Sequence, residues 1–194
     1  MVAKKVTKAA AKKPATKLAS KKAVVVRQTT PVPAMPADVG KPRSKMDDQP
    51  IRAAVVLMFT TCKGKVSLLI GKESYEKWGP PGGYVEQGEE PNKAAEREFV
   101  EEVGYGLPPL KKEKTFRYRN THVRMMYTET CIEAKIGPKA RKPHELLGLS
   151  YIPVSDLYKI LMTPDVKMPL RSIFIAMMVD NKKEIDTFLA SCGL

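Results

Sequence analysis

Glu98, Glu101 and Glu102 stand at i, i+3 and i+4 in a segment that reads as a helix, so their carboxylates share one face. Like charges at that spacing repel by roughly 0.2–0.5 kcal/mol per pair. The surrounding window, "GGYVEQGEEPNKAAEREFVEEVGY" from Gly82 to Tyr105, holds seven of the 21 acids in a chain whose net charge is +13. A cation set among the carboxylates would remove the conflict, and an all-oxygen donor set suits a hard ion, Mg²⁺ or Mn²⁺. Upstream, Gly82-Gly83 lets the backbone approach such an ion or its substrate without a Cβ in the way, with the Gly82 carbonyl as a further donor. Arg97 can pair with Glu89 and hold a carboxylate in place. The competing account is a solvated acidic helix face, which leaves the glycine pair and the arginine without a purpose.

The elements that would carry these residues follow from periodicity. Ala95, Phe99 and Val103 recur at i, i+4 and make an apolar stripe, and Pro91 suits a helix's first turn. Before it, "AAVVLMFTTCKGKVSLLIGK" reads as a strand hairpin turning at Gly64, followed by a Gly/Pro-dense loop with a short strand at 83–86. After it come "KTFRYRN" and "VRMMYTETCIEAKI" as strands, a basic loop, the strand "LLGLSYIPV", and a helix opened by Ser155. Residues 168–191 form a Met-rich apolar segment, read as one helix that packs on the core, with a homodimer face as the alternative. This order predicts a mixed sheet with helices on its faces.

Composition divides the chain. Residues 1–50 hold twelve bases and three acids, a net +9, while the other 144 residues hold 22 bases and 18 acids. The first fifty lack Phe, Tyr and Trp, too little apolar surface to offset the entropy of ordering. We therefore expect a disordered Lys-rich and Pro-rich tail over 1–48 and one globular domain over 49–194. A basic arm binds polyanions by counterion release, so RNA is a candidate partner for residues 1–48. No apolar run approaches a membrane span, and the N-terminus lacks a secretory signal's apolar core. Cys62, Cys131 and Cys192 are odd in number and widely spaced, which reads as three unpaired thiols in a reducing, intracellular compartment, cytoplasmic or nuclear.

From Gly83 to Tyr105 the sequence resembles the Nudix box of the Nudix (MutT-related) hydrolases. The matching positions are Gly83, Glu89, Arg97-Glu98-Phe99, Glu101-Glu102 and Gly104-Tyr105, with bulkier residues than the usual aliphatics at 99 and 105. The lead-in "KWGPPGG" is similar to the family's approach to its box. The resemblance implies an α/β/α sandwich with a mixed sheet and hydrolysis of a nucleoside diphosphate linked to another moiety. It also implies Glu98, Glu101 and Glu102 as Mg²⁺ (or Mn²⁺) ligands, assisted by the Gly82 carbonyl, and Arg97–Glu89 as a supporting pair. One of these glutamates, or Glu145 in the loop of "RKPHELLGLSYIPV", would activate water; His144 and His122 are weaker candidates.

Beyond the box the substrate is open: a nucleotide, a nucleotide sugar, a dinucleoside polyphosphate or capped RNA. Lys77 and Arg52 are candidates for phosphate contact, and Trp78 either packs under the active-site loop or stacks on a base. Tyr84 is read as packing. The alternative from another class is a catalytically silent module of the same fold that binds a nucleotide or nucleic acid.

Overall fold

The apolar run that starts at Ala53 alternates nothing because both of its faces are covered. The computed structural model describes residues 49–141, 145–163 and 168–194; the basic tail, residues 1–48, and His144 lie outside them. β1 (Ala53–Cys62) occupies the middle of the sheet and turns at Lys63-Gly64 into β2 (Lys65–Glu73). Beyond β2 lies β3 (Trp78–Gly79). On its other side β1 runs parallel to β6 (Thr121–Thr128), which pairs antiparallel with β5 (Lys112–Tyr118). β4 (Gly82–Tyr84) adds to β1, and β7 (Leu146–Pro153) adds to β2. The result is the mixed sheet with helices on both faces that the periodicity predicts.

Successive residues of β1 feed two separate cores. Ala54, Val56 and Met58 pack with Ala94, Ala95, Phe99 and Val103 of α1 (Pro91–Val103). Leu57 and Phe59 pack on the opposite face against α2 (Val154–Met162), α3 (Ser172–Asp180) and α4 (Lys182–Ser191). A strand covered on both sides needs apolar residues at every position, and "AAVVLMF" supplies them.

α1 has the bounds its sequence signals. Pro91 sits in its first turn, and Gly104 ends it at φ 79°, a left-handed conformation that costs glycine little. A Cβ at Gly104 would stand 2.3 Å from the Gly137 carbonyl oxygen, so helix end and following loop meet only because no side chain intervenes. That loop then satisfies the helix's last carbonyls: Gly137 N–H donates to Val103 (2.7 Å) and Arg141 N–H to Glu101 (2.9 Å).

Several expectations need correction. The C-terminal segment is two helices rather than one, broken at Asn181, whose side chain donates to the Met177 carbonyl at 2.9 Å and so caps α3. α2 begins at Val154 after Pro153, so Ser155 lies inside it and caps nothing. β6 stops at Thr128, whose hydroxyl is drawn to the Pro109 carbonyl (2.9 Å) and accepts the Thr130 N–H (3.0 Å), turning the chain out of the sheet. The reading of three unpaired thiols also fails. Cys62 and Cys131 form a disulfide with their Cα atoms 5.6 Å apart, leaving Cys192 free. Parallel pairing of β1 with β6 brings Thr60 beside Thr128, and so two residues 69 apart in sequence to the same end of the sheet. Among the described residues no helix is long and apolar enough to cross a membrane.

Phe99 is fully buried between α1 and the sheet. Phe99→Ala should cost about 3–5 kcal/mol in chemical denaturation, whereas Tyr84→Ala, at an exposed ring, should leave the midpoint nearly unchanged.

Candidate active site

The apolar stripe that seats α1 also decides where its acids go. With Phe99 and Val103 pressed on the sheet, the flanking Glu98 and Glu102 are carried into the protein, where they are only 3% and 7% exposed. β4 supplies the opposite wall. Gly82 N–H donates to Glu102 Oε2 at 2.8 Å. A Cβ on Gly83 would lie 2.6 Å from the Glu98 carboxyl, so that carboxylate occupies the space a side chain would fill. Each glycine therefore meets a carboxylate, Gly82 through its N–H and Gly83 through the space its missing side chain leaves.

Arg97 organises the other acids. Its Nε and Nη2 donate to the two Glu89 oxygens, each at 2.9 Å, and Nη2 also donates to the Tyr84 carbonyl at 3.0 Å. Nη1 donates to Glu98 Oε1 at 2.8 Å and to Glu101 Oε2 at 3.4 Å. The fork geometry of a guanidinium suits a bidentate carboxylate partner. Its hydrogen bonds, with the Glu86 backbone N–H as second donor, hold the Glu89 carboxyl at about 2, well below the usual range. Reciprocally, the Glu89 hydrogen bond raises the Arg97 pKa.

Glu102 behaves in the opposite way. Burial pushes it up to about 8 despite the Gly82 N–H, and the neighbouring charges of Glu98, Glu145 and Glu73 push it further in the same direction. It faces a cleft of about 420 Å³ that Glu73, Glu98 and Glu145 also line. α3 forms another part of its wall with Ile173, Phe174 and Met177, and Tyr75 and Tyr84 stand at its rim, 56% and 79% exposed. The expectation that Tyr84 packs is thus overturned: its carbonyl is engaged while its ring faces outward. Glu101 lies to the other side of Arg97, in a separate groove with Lys139 and Arg141.

The donor chemistry of this cluster, two buried carboxylates side by side, fits a hard divalent cation. The side chains are not in a closed ligand set: among the described residues, no three of His, Cys, Asp or Glu converge in metal-holding geometry. Arg97 is instead the cation that Glu98 and Glu101 face.

A family model described as the NUDIX domain matches residues 50–173. The chain belongs to the Nudix family. A curated relative, the bis(5'-nucleosyl)-tetraphosphatase [asymmetrical] of Caenorhabditis elegans, is 32% identical over 94 residues, which is 47% of this chain. The chain spans 61% of that relative's length. The crystal structure of a C. elegans Ap4A hydrolase binary complex superposes with a TM-score of 0.52 at 22% identity, over 72% of this chain and 99% of the other, a likeness of fold.

Within this Nudix domain, the residues expected to bind substrate lie elsewhere. Lys77 and Arg52 are exposed and outside the cleft lining. Trp78 also lies outside it, packing against the core beneath α2, α3 and α4 and bridging to Leu170. Of the histidines, His122 donates from Nε2 to Asn92 Oδ1 at 2.8 Å and burial lowers its pKa; it too is outside the lining. Sequence reasoning missed Glu73 and Arg171, which meet across the cleft wall at 2.8 Å. The available signal was local: Glu73 ends a strand whose middle, Leu68, Leu69 and Ile70, is apolar, in "LLIGKESYEKW".

Because the folded Glu89 carboxyl titrates at about 2, the stability it contributes is present above its unfolded pKa and lost as pH falls through the folded one. In an acid titration of thermal stability, Glu89→Gln should start less stable at pH 6 and fall less steeply between about pH 4.5 and 2 than wild type.

Proposed function

We propose that this chain is a divalent-metal-dependent pyrophosphohydrolase acting on dinucleoside polyphosphates. The observation that carries the proposal is the convergence of buried Glu98 and Glu102 with Glu73 and Glu145 on one cleft. Four carboxylates there would repel a polyphosphate, so the cleft serves such a substrate only with cations between the two. Family membership supports hydrolysis of a nucleoside diphosphate linkage. The resemblance to the C. elegans tetraphosphatase supports the dinucleoside choice over a nucleotide sugar or capped RNA.

By the family resemblance Glu98, Glu101 and Glu102 would hold Mg²⁺ or Mn²⁺, with Glu101 turning from the Arg97 side of the helix to join the two that line the cleft. Bound there, such an ion would supply Lewis-acid charge to the phosphates and lower the pKa of bound water. Arg97 orients the set: pinned to Glu89 by two hydrogen bonds, it presents Nη1 to Glu98 and Glu101 from a fixed position. Glu145 reaches the cleft from the loop before β7, where its backbone oxygen accepts the Ser74 N–H at 3.1 Å. Standing off the metal-holding helix, it is the carboxylate we assign to accept a proton from the attacking water. Tyr75 and Tyr84 offer exposed rings on which a nucleobase can stack. The cleft volume lies within the roughly 300–1,000 Å³ of small-molecule sites.

Product formation should be followed with Mg²⁺ and with Mn²⁺ across dinucleoside polyphosphates, nucleotide sugars, nucleoside triphosphates and capped RNA. Preferred cleavage of a dinucleoside polyphosphate supports the reading, and no turnover of any substrate returns the chain to the silent binding module. Glu102→Gln should abolish most metal-dependent turnover while melting close to the wild-type temperature without metal, because glutamine has the same shape and its amide oxygen keeps an acceptor for the Gly82 N–H. Full activity in that variant would sink the assignment.

Gly83→Ala separates positioning from stability. The new methyl meets the end of the Glu98 side chain rather than backbone, so the carboxylate, not the strand, gives way and leaves its 2.8 Å hydrogen bond to Arg97. A displacement of that kind should lower turnover by about 100-fold with a smaller fall in melting temperature than Phe99→Ala produces.

A further inference from the structure

Arg171 is the lone Lys or Arg among the described residues lining the cleft. We infer that it contacts the phosphate chain of the substrate and that Glu73 holds its guanidinium on the cleft wall. This rests on the proposed hydrolase reading, and it deepens that reading by naming the protein's own phosphate contact.

The alternative is that the Arg171–Glu73 pair merely braces α3 against β2. Three features favour contact over brace. The segment before α3 is already held by backbone: Trp78 N–H donates to the Pro169 carbonyl and Arg171 N–H to the Trp78 carbonyl, both at 2.9 Å. A side-chain brace adds little to that. The pair is also unequally covered, with the Glu73 side chain 13% exposed and that of Arg171 35% exposed. The acid is the buried anchor, and the cation is the member open to the cleft. Finally, Gly79 clears a path for the arginine: a Cβ there would stand 2.8 Å from Arg171 Cδ and 3.5 Å from Glu73 Oε1. The stem lies over bare backbone and delivers its head to the wall opposite α1.

The chemistry matches that placement. Of the five N–H donors of a guanidinium, one on Nη1 is given to Glu73 at 2.8 Å. The planar fork of the group fits two phosphate oxygens at once. In a cleft lined by Glu73, Glu98, Glu102 and Glu145, phosphates beyond reach of the metal ions meet an excess of negative charge unless a fixed cation stands among them. Glu73 neutralises that cation in the resting protein and keeps its orientation, and a phosphate then adds to the free edge of the fork.

The test is the affinity of the full chain for inorganic pyrophosphate in the presence of Mg²⁺, by calorimetry, for wild type and three variants. Arg171→Gln and Glu73→Gln both break the ion pair, but only the first removes the cation. Contact with phosphate predicts that Arg171→Gln weakens pyrophosphate binding by about tenfold or more while Glu73→Gln keeps or tightens it. Arg171→Lys, which retains the charge without the fork, should fall between them and decides the matter if the glutamine variant does not fold. Equal losses in Arg171→Gln and Glu73→Gln, wild-type affinity in Arg171→Gln, or no pyrophosphate binding by wild type would each overturn the inference. A wild type that binds pyrophosphate yet cleaves no dinucleotide would sink the hydrolase reading alone, and the split between the variants would still support the contact.

Discussion

Everything at the acidic end of this protein depends on one guanidinium. α1 carries Glu98, Glu101 and Glu102 within five residues, and Phe99 and Val103 oblige two of these acids to be buried. Buried carboxylates this close are unfavourable unless positive charge or N–H donors face them. Arg97 faces Glu98 and Glu101, the Gly82 amide faces Glu102, and the same arginine reaches back to Glu89 and the Tyr84 carbonyl. The loop between β4 and α1 is thereby tied to the helix it precedes. Removing the arginine would therefore do more than delete a charge: it would uncouple a loop, a strand end and a helix.

That arrangement is available only because the sheet leaves room for it. β4 pairs with β1 at Ala54–Gly83 and Val55–Gly82, which sets two residues without side chains directly against the acidic flank of α1. A Cβ on Gly82 would stand 2.3 Å from the Ala54 carbonyl oxygen, and one on Gly83 would enter the Glu98 carboxylate. The first glycine serves strand packing and the second serves the site. Both are needed for one reason: backbone must come within contact distance of groups that are themselves fixed, β1 by the double-sided core and Glu98 by Arg97.

What could be read in the sequence was whatever is local or periodic. The bounds of α1, its buried stripe and the hairpin of β1 and β2 follow from spacing, because helix and strand periods project directly onto burial. The reach of Arg97 was likewise readable, since Glu89 and the triplet all lie within eight residues of it. What was not readable depends on chain segments meeting from afar. Glu73 and Arg171 are 98 residues apart, and Cys62 and Cys131 are 69 apart. Neither pair has a local signature: an isolated glutamate at a strand end and a proline-flanked arginine look like surface charges. Lys77 and Trp78 drew attention because they precede the glycine pair, yet the twist of the chain through β3 turns the tryptophan into the core and leaves the lysine outside the cleft.

The same division explains why the box says so little about the substrate. Glu98 and Glu102 of α1 are buried and each is held by a hydrogen bond, so on the proposed reading they address only what is common to all pyrophosphates. The remainder of the cleft is built from separate pieces: Tyr75 from the turn after β2, Tyr84 at the end of β4, Glu145 before β7, and Arg171 with Ile173 at the start of α3. These side chains are more exposed than the acids they face. A rim residue that makes few internal contacts can be exchanged at little cost to folding, whereas Glu98 or Gly83 cannot change without displacing its neighbours. On the proposed reading, selectivity for what hangs from the phosphates resides in the rim, and Arg171 stands where the buried acids and the exposed rim meet.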